Sequence, residues 1–282
     1  MRTTVVSSRR RARCAIVVSL FAVAAVGAAC GGDQAVSSTA APSSTALSEP
    51  PTTTSKPPAA GVRLSFSPSA QTELVSPEGV HVLIDVADSS ALVDPFTEGD
   101  ILLMTHDDPD HYDAGAVKAF AGKKIIRRVD SLETDDVKVS SIATVHNEGG
   151  LSGTDIIFII DVGDLRIVHF GDIGVSALTP EQLAAVGSID VAITQFDNSY
   201  SDVDSQNEKG FQLVEQLQPR LVIPTHQTDQ SVAMMTRWPC FYTDQRSVTF
   251  TSEQLPLTTS VLFIGPFAFG QGKLTGAQPV GW

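Results

Sequence analysis

Several residue types are scarce in this chain. Its 282 residues hold three cysteines, six histidines and 19 lysines and arginines, the last set against 32 aspartates and glutamates. Cys14 and Cys30 fall near the N-terminus, which leaves Cys240 alone in the rest of the chain. A single thiol makes no internal disulfide, so the domain must be held by its core. Within Trp238-Pro-Cys-Phe-Tyr, Cys240 is expected as a small buried apolar side chain. The net charge of −13 disfavours a nuclease, because phosphate backbones are held by basic surface through counterion release. Lys123-Lys124 with Arg127-Arg128 is the one local basic patch. The chain has no short-period repeat, and its longest apolar run, Cys14 to Ala29, falls short of the roughly 20 residues a membrane span needs.

What the N-terminus does have is a targeting pattern. Arg2, Arg9, Arg10, Arg11 and Arg13 precede the apolar run, which ends in Gly27-Ala28-Ala29-Cys30. This resembles a bacterial lipobox, with Gly27 where leucine is usual. The resemblance implies a signal peptide over residues 1–29 and lipid on Cys30 as the mature N-terminus. Residues 30–61 are almost all Ser, Thr, Ala, Pro and Gly, a composition that builds no core, and they are expected to form a tether. The protein is then extracytoplasmic and anchored to the cell membrane by its lipid. Processing removes five arginines and no acid, so the mature chain carries 14 basic against 32 acidic residues, or −18.

The chemistry concentrates at the end of an apolar run. Asp100-Ile-Leu-Leu-Met is followed by Thr105-His-Asp-Asp-Pro-Asp-His-Tyr-Asp113. Lone-pair donors crowd there at His106, Asp108, Asp110 and His111, and burying so many without partners would cost several kcal/mol. Imidazole and carboxylate suit a divalent metal, and ligands on one tight loop can face two neighbouring ions. Three further apolar segments end in a potential ligand. His146 closes Val137–Val145, Asp172 follows Leu165–Phe170 in a turn between Gly171 and Gly174, and His226 closes Arg220–Thr225.

In order, His106-x-Asp108-x-Asp110-His111, His146, Gly171-Asp172 and His226 resemble the hallmark of the metallo-β-lactamase-fold hydrolases. Thr105-His106, Asp110-His111-Tyr112-Asp113, His169-Phe170-Gly171-Asp172 and Pro224-Thr225-His226 look most like the ascorbate-6-phosphate lactonase-like branch. The resemblance spans roughly residues 62–270. It implies that His106, residue 108 and His146 hold one metal, that Asp110, His111 and His226 hold the second, and that Asp172 bridges. Asp108 stands where the family usually has histidine. That makes the first site harder and more anionic, so two divalent ions are expected as zinc, with Mn or Fe admitted by Asp108. Asp85 resembles the structural aspartate that precedes the family's first active-site strand.

The domain from residue 62 to 282 is expected as α/β (α+β), a four-layer αββα sandwich. Strands are expected over 62–67, 72–75, 81–87, 101–105, 124–129, 137–145, 155–161, 165–170, 190–195, 220–225, 247–251 and 259–264. Helices are expected over 114–121, 180–186 and 208–217, with Thr179 capping the second and Pro180 at its first position. His169 is expected in the core or supporting the site, and His81 as exposed or structural. Asn198, Tyr200 and Gln227 follow strands that end near the cluster and are candidates to touch substrate.

These features predict a lipid-anchored hydrolase of a small ester-like substrate, a lactone or a phosphodiester, using a metal-activated hydroxide. Asp110 would orient the nucleophile and accept its proton. Two other readings exist: a metal- or ligand-binding surface protein without turnover, and an iron-dependent redox protein.

Overall fold

The computed structural model describes residues 60–67, 70–147, 153–228, 233–234 and 237–265, and the backbone of 278–279. The expected signal peptide, Cys30 and the tether up to residue 59 lie outside these residues. Among the described residues, no helix is long and apolar enough to cross a membrane.

Two sheets form the body. The first contains β1 (Val62–Phe66), β2 (Thr72–Val75), β3 (His81–Ile84), β4 (Ile101–Met104), β5 (Lys123–Ile126) and β13 (Ser247–Phe250), in the order β13-β1-β2-β3-β4-β5. The second contains β6 (Ser131–Glu133), β7 (Val137–Val145), β8 (Thr154–Val162), β9 (Leu165–His169), β10 (Val191–Gln195), β11 (Leu221–Thr225), β12 (Cys240–Thr243), β14 (Ser260–Ile264) and β15 (Gln278–Pro279). Its order is β15-β12-β14-β11-β10-β9-β8-β7-β6.

Strand alternation sorts the side chains into layers. Val82, Ile84, Ile101 and Leu103 of the first sheet meet Ile156, Phe158, Val191, Ile193 and Ile223 of the second in one buried core. The intervening residues point outward and are buried too. Leu83 and Leu102 pack under Ala116 of α1 (Ala114–Ala119) and its neighbour Phe120. Ile157, Ile159, Val168 and Ala192 pack under Val186 of α2 (Pro180–Val186) and Leu213 of α3 (Lys209–Leu217). Helices outside two facing sheets make the expected αββα sandwich. Strands apolar on both faces are what such layering demands.

Helix starts follow their sequence signals. The Thr179 hydroxyl accepts from the Gln182 N–H at 3.2 Å, and the Gln182 side chain accepts from the Thr179 N–H at 2.9 Å, a reciprocal cap with Pro180 just inside it. Asp113 caps α1, accepting from the N–H groups of Gly115 and Ala116 at 2.8 and 3.0 Å. The expected strand over 81–87 stops at Ile84, because Asp85 turns the chain at φ +51° and spends its carboxylate on β4's end. Ser131–Glu133 is too short for periodicity to reveal. Cys240–Thr243 buries only its first residue, so it too lacks an alternating signature. It forms by pairing in parallel with β14.

Candidate metal centre

Parallel pairing collects the candidate residues at one edge. β3 and β4 run parallel, as do β9, β10 and β11. Their C-terminal ends therefore bring Asp85, His106, Asp172, Asn198 and His226 to the same side. β7 and β9 are both antiparallel to β8. They share a direction, and His146 joins the group at the end of β7.

Six of the seven expected residues come together in two sets, and Asp108 lies beside one of them. One ligand atom each from His106, His146 and Asp172 lie within 4.8 Å of one another, and so do those from Asp110, His111 and His226. Asp108 Oδ2 lies 3.4 Å from His106 Nε2 and 3.5 Å from His146 Nε2, on the side of the first set. Asp172 stands between the sets. Its Oδ2 faces His106 Nε2 and His146 Nε2 at 3.8 and 3.6 Å, while its Oδ1 faces His111 Nε2 at 3.2 Å and His226 Nδ1 at 3.6 Å. The buried atoms His106 Nε2, His111 Nε2 and Asp172 Oδ1 have no hydrogen-bond partner. Buried polar atoms are normally satisfied, and leaving one bare costs about 1–3 kcal/mol. Imidazole and carboxylate donors converging bare on common points fit divalent cations.

A second layer of hydrogen bonds aims these donors. The buried Asp85 accepts from the Thr105 N–H and from the Thr105 hydroxyl, each at 2.8 Å, and its Oδ2 lies 2.9 Å from His111 Nδ1. With its proton given to Asp85, the Thr105 oxygen accepts from His106 Nδ1 at 2.9 Å. One carboxylate thereby sets the tautomer of one histidine in each set, leaving both Nε2 atoms to face the centre. Asp155 Oδ1 backs His106 Nδ1 at 3.3 Å. Asn198 Nδ2 donates to Asp172 Oδ2 at 2.6 Å and to Gln195 Oε1 at 2.8 Å, so Asn198 orients the shared carboxylate.

Two glycines permit this closeness. A Cβ on Gly171, at φ +56°, would meet the Asp155 oxygens at 2.5 and 2.6 Å, and one on Gly174 would meet the His146 carbonyl oxygen at 2.1 Å.

The carboxylates and imidazoles of the cluster shift one another. Burial would raise the Asp172 pKa, yet the His111 and His146 imidazoles beside it hold it far below the usual carboxylate range. Burial would lower His111, but Asp85 and Asp172 hold it well above the ordinary imidazole value. Burial likewise opposes the upward shift of His106 that Asp155 causes. Asp155 itself is pushed up to about 6 by burial. The His226 imidazole holds Asp110 below its usual range.

Not every candidate joins the centre. Of the aspartates in 105–113, Asp107 pairs with Arg127 on the surface and Asp113 caps α1, which leaves Asp108 and Asp110 for the site. His169 is fully buried, its pKa lowered by burial, and its Nδ1 accepts from the Gly171 N–H at 3.2 Å. It shapes the turn before Asp172. His81 is buried with its Nε2 3.2 Å from Glu73 Oε2, so it is structural and not exposed. Cys240 is buried beside Trp238 and Phe263, its thiol pushed up to about 12 by burial.

A cleft of about 490 Å³ opens over the centre, lined by Asp108, Asp110, Asp172 and His226 together with Asn198, Tyr200 and Gln227. Sequence reasoning missed Asp197, which also lines it, and Asp155. The signal for Asp155 was available: it is an acid at the start of the apolar run Ile156–Ile160, opposite Thr144 near the end of β7.

Comparison with known proteins gives the same architecture. A family model described as the Beta-lactamase superfamily domain matches residues 70–226 and so spans all seven clustered residues. No curated protein matches the chain. Among solved structures, a provisionally assigned Zn-dependent hydrolase of the metallo-β-lactamase superfamily from Thermotoga maritima is similar at 18% identity and a TM-score of 0.51, over 72% of this chain and 99% of that one. A provisionally assigned metal-dependent hydrolase from Parabacteroides distasonis matches at 18% identity and TM-score 0.48, over 62% and 86% of the two chains. The metallo-β-lactamase fold protein YhfI from Bacillus subtilis matches at 11% identity and TM-score 0.46, over 72% and 96%. At 18% identity the likeness to the Thermotoga maritima protein is one of fold.

Proposed function

The chain belongs to the metallo-β-lactamase superfamily, and from that premise we propose that it is a metal-dependent hydrolase of a small ester-like substrate such as a lactone or phosphodiester. The observation that carries this reading is Asp172, one oxygen turned to each of two converging donor sets. His106, Asp108 and His146 would hold one divalent ion, Asp110, His111 and His226 the other, and Asp172 both. Bound there, such ions supply Lewis acidity and make water acidic enough to yield hydroxide near neutral pH.

The protein's own groups do the rest. Asp110 is half exposed at the cleft, and the His226 imidazole beside it favours its charged form. That places a proton acceptor where water and substrate enter. Asp85 and Thr105 keep His111 and His106 from turning, so their Nε2 atoms stay aimed as the site fills. Asn198 does the same for Asp172. On this proposal the domain works at a membrane surface, held by lipid on Cys30 and the tether; the arginine-rich start and the Ala-Ala-Cys30 junction support it.

The test is metal analysis coupled to turnover. Protein loaded with Zn, Mn or Fe should bind one to two ions per chain and hydrolyse members of a lactone and phosphodiester panel. Asp172→Ala should lose most of both ions, and Asp110→Ala should lower turnover at least about a hundredfold, since ligand and base go together. Native protein that stays metal-free after loading, or an active protein whose rate survives Asp110→Ala, would overturn the proposal.

A further inference from the structure

The walls of the cleft carry charge of one sign. Asp108, Asp110, Asp172 and Asp197 all line it, and none of its described lining residues is lysine or arginine. Nearby bases are committed elsewhere: Arg127 pairs with Asp107, and the buried Lys209 amine reaches Asp202 at 2.8 Å. Asp108 adds to this acidity where the resembling family carries a neutral imidazole.

Two divalent ions would bring four positive charges to these four carboxylates, so beyond the ions themselves the described cleft wall offers no positive group to hold an anion. A phosphate or carboxylate on a substrate is normally gripped by arginine or lysine in a fork or as a point charge. Here it would meet carboxylates, and like charges repel across the cleft. Asp197 belongs to neither donor set. Its Oδ2 accepts from the Thr228 hydroxyl at 2.5 Å, which fixes the carboxylate at the cleft wall. Tyr200 shares that wall with its ring open to solvent, 81% exposed. A fixed carboxylate and an open aromatic face together suit an amino or ammonium group.

We infer that the substrate is neutral or cationic around the bond to be cleaved and carries an amino group toward Asp197, and that phosphate- and carboxylate-bearing compounds are rejected. This rests on the hydrolase reading above and narrows it, from lactone or phosphodiester to an uncharged or amino-substituted lactone or ester. Asp197 is then a specificity-determining residue.

The experiment compares four compounds on metal-loaded protein: γ-butyrolactone, its α-amino and α-carboxy derivatives, and bis(p-nitrophenyl) phosphate. Binding of the α-amino and α-carboxy γ-lactams is measured calorimetrically alongside. We expect kcat/KM for the amino lactone to exceed that for the carboxy lactone and the phosphodiester by about tenfold or more. The amino lactam should bind more tightly than the carboxy lactam, and Asp197→Asn should shrink both ratios at least about fivefold. A preference for the carboxy lactone or the phosphodiester overturns the inference and leaves the hydrolase reading standing. If no compound is turned over, the hydrolase reading fails, and the lactam affinities alone decide the charge preference. Equal affinities, or ratios that Asp197→Asn leaves unmoved, overturn it.

Discussion

Replacing Gly171 with alanine puts the design of the centre under direct load. At φ +56° the backbone is left-handed, which costs a residue with a Cβ about 1–2 kcal/mol. The new methyl would lie 2.5 and 2.6 Å from the two Asp155 oxygens and 2.9 Å from the carbon between them. Asp155 is fully buried on β8 and has no room to retreat, so overpacking adds about 1–3 kcal/mol. The total, about 2–5 kcal/mol, lowers Tm by roughly 5–15 °C in a domain of this size. Thermal unfolding of the metal-free protein by circular dichroism reads this directly. A double-mutant cycle separates the two costs, because in an Asp155→Ala background the contact vanishes and only the backbone cost of about 1–2 kcal/mol should remain. Destabilisation below about 1 kcal/mol, or additive single and double mutants, would refute the close approach of β8 to the turn before Asp172.

Two further outcomes follow from the site's geometry and a third from the proposed lipid anchor. In metal-free protein the raised His111 pKa makes its ion pair with Asp85 complete below the ordinary imidazole value of 6.5 and lost as pH climbs through the raised value. Stability should therefore fall as pH rises above that point, more steeply in the wild type than in His111→Gln, and metal uptake near pH 7 should release protons to the buffer; a flat profile with no proton release would contradict this. Asp108→His exchanges an anionic oxygen for imidazole beside His106 and His146, so competition between ions should shift toward zinc over Mn or Fe. Unchanged selectivity would take Asp108 out of the donor set. Cys30→Ala should release the protein from membranes without altering its melting temperature, and wild-type protein found entirely soluble with residues 1–29 intact would remove the anchor.

Much of the fold was legible because it depends on local pattern. Period-two alternation located Val137–Val145 to the residue, Thr72–Val75 also fell where expected, and Thr179-Pro180 marked the start of α2. The seven clustered residues were legible for a related reason: a lone-pair donor at the end of an apolar strand has few purposes in a core. Short pieces such as Ser131–Glu133 and Cys240–Thr243 were not, since their pairing partners, and not their own periodicity, make them strands.

What the sequence by itself determined is therefore which residues stand at strand ends and that they bear donors suited to cations. Only the tertiary structure decided how those donors divide. It gave Asp107 to Arg127 and Asp113 to a helix cap, left Asp108 and Asp110 at the cleft, and turned the two oxygens of Asp172 to different histidines. It also placed Asp155 behind His106 and Asp197 in the cleft wall. The physical reason is distance along the chain: Asp155 lies 49 residues beyond His106 and Asp197 lies 31 before Thr228. The pairing of sheet strands, which no local pattern encodes, brings their side chains within hydrogen-bonding reach.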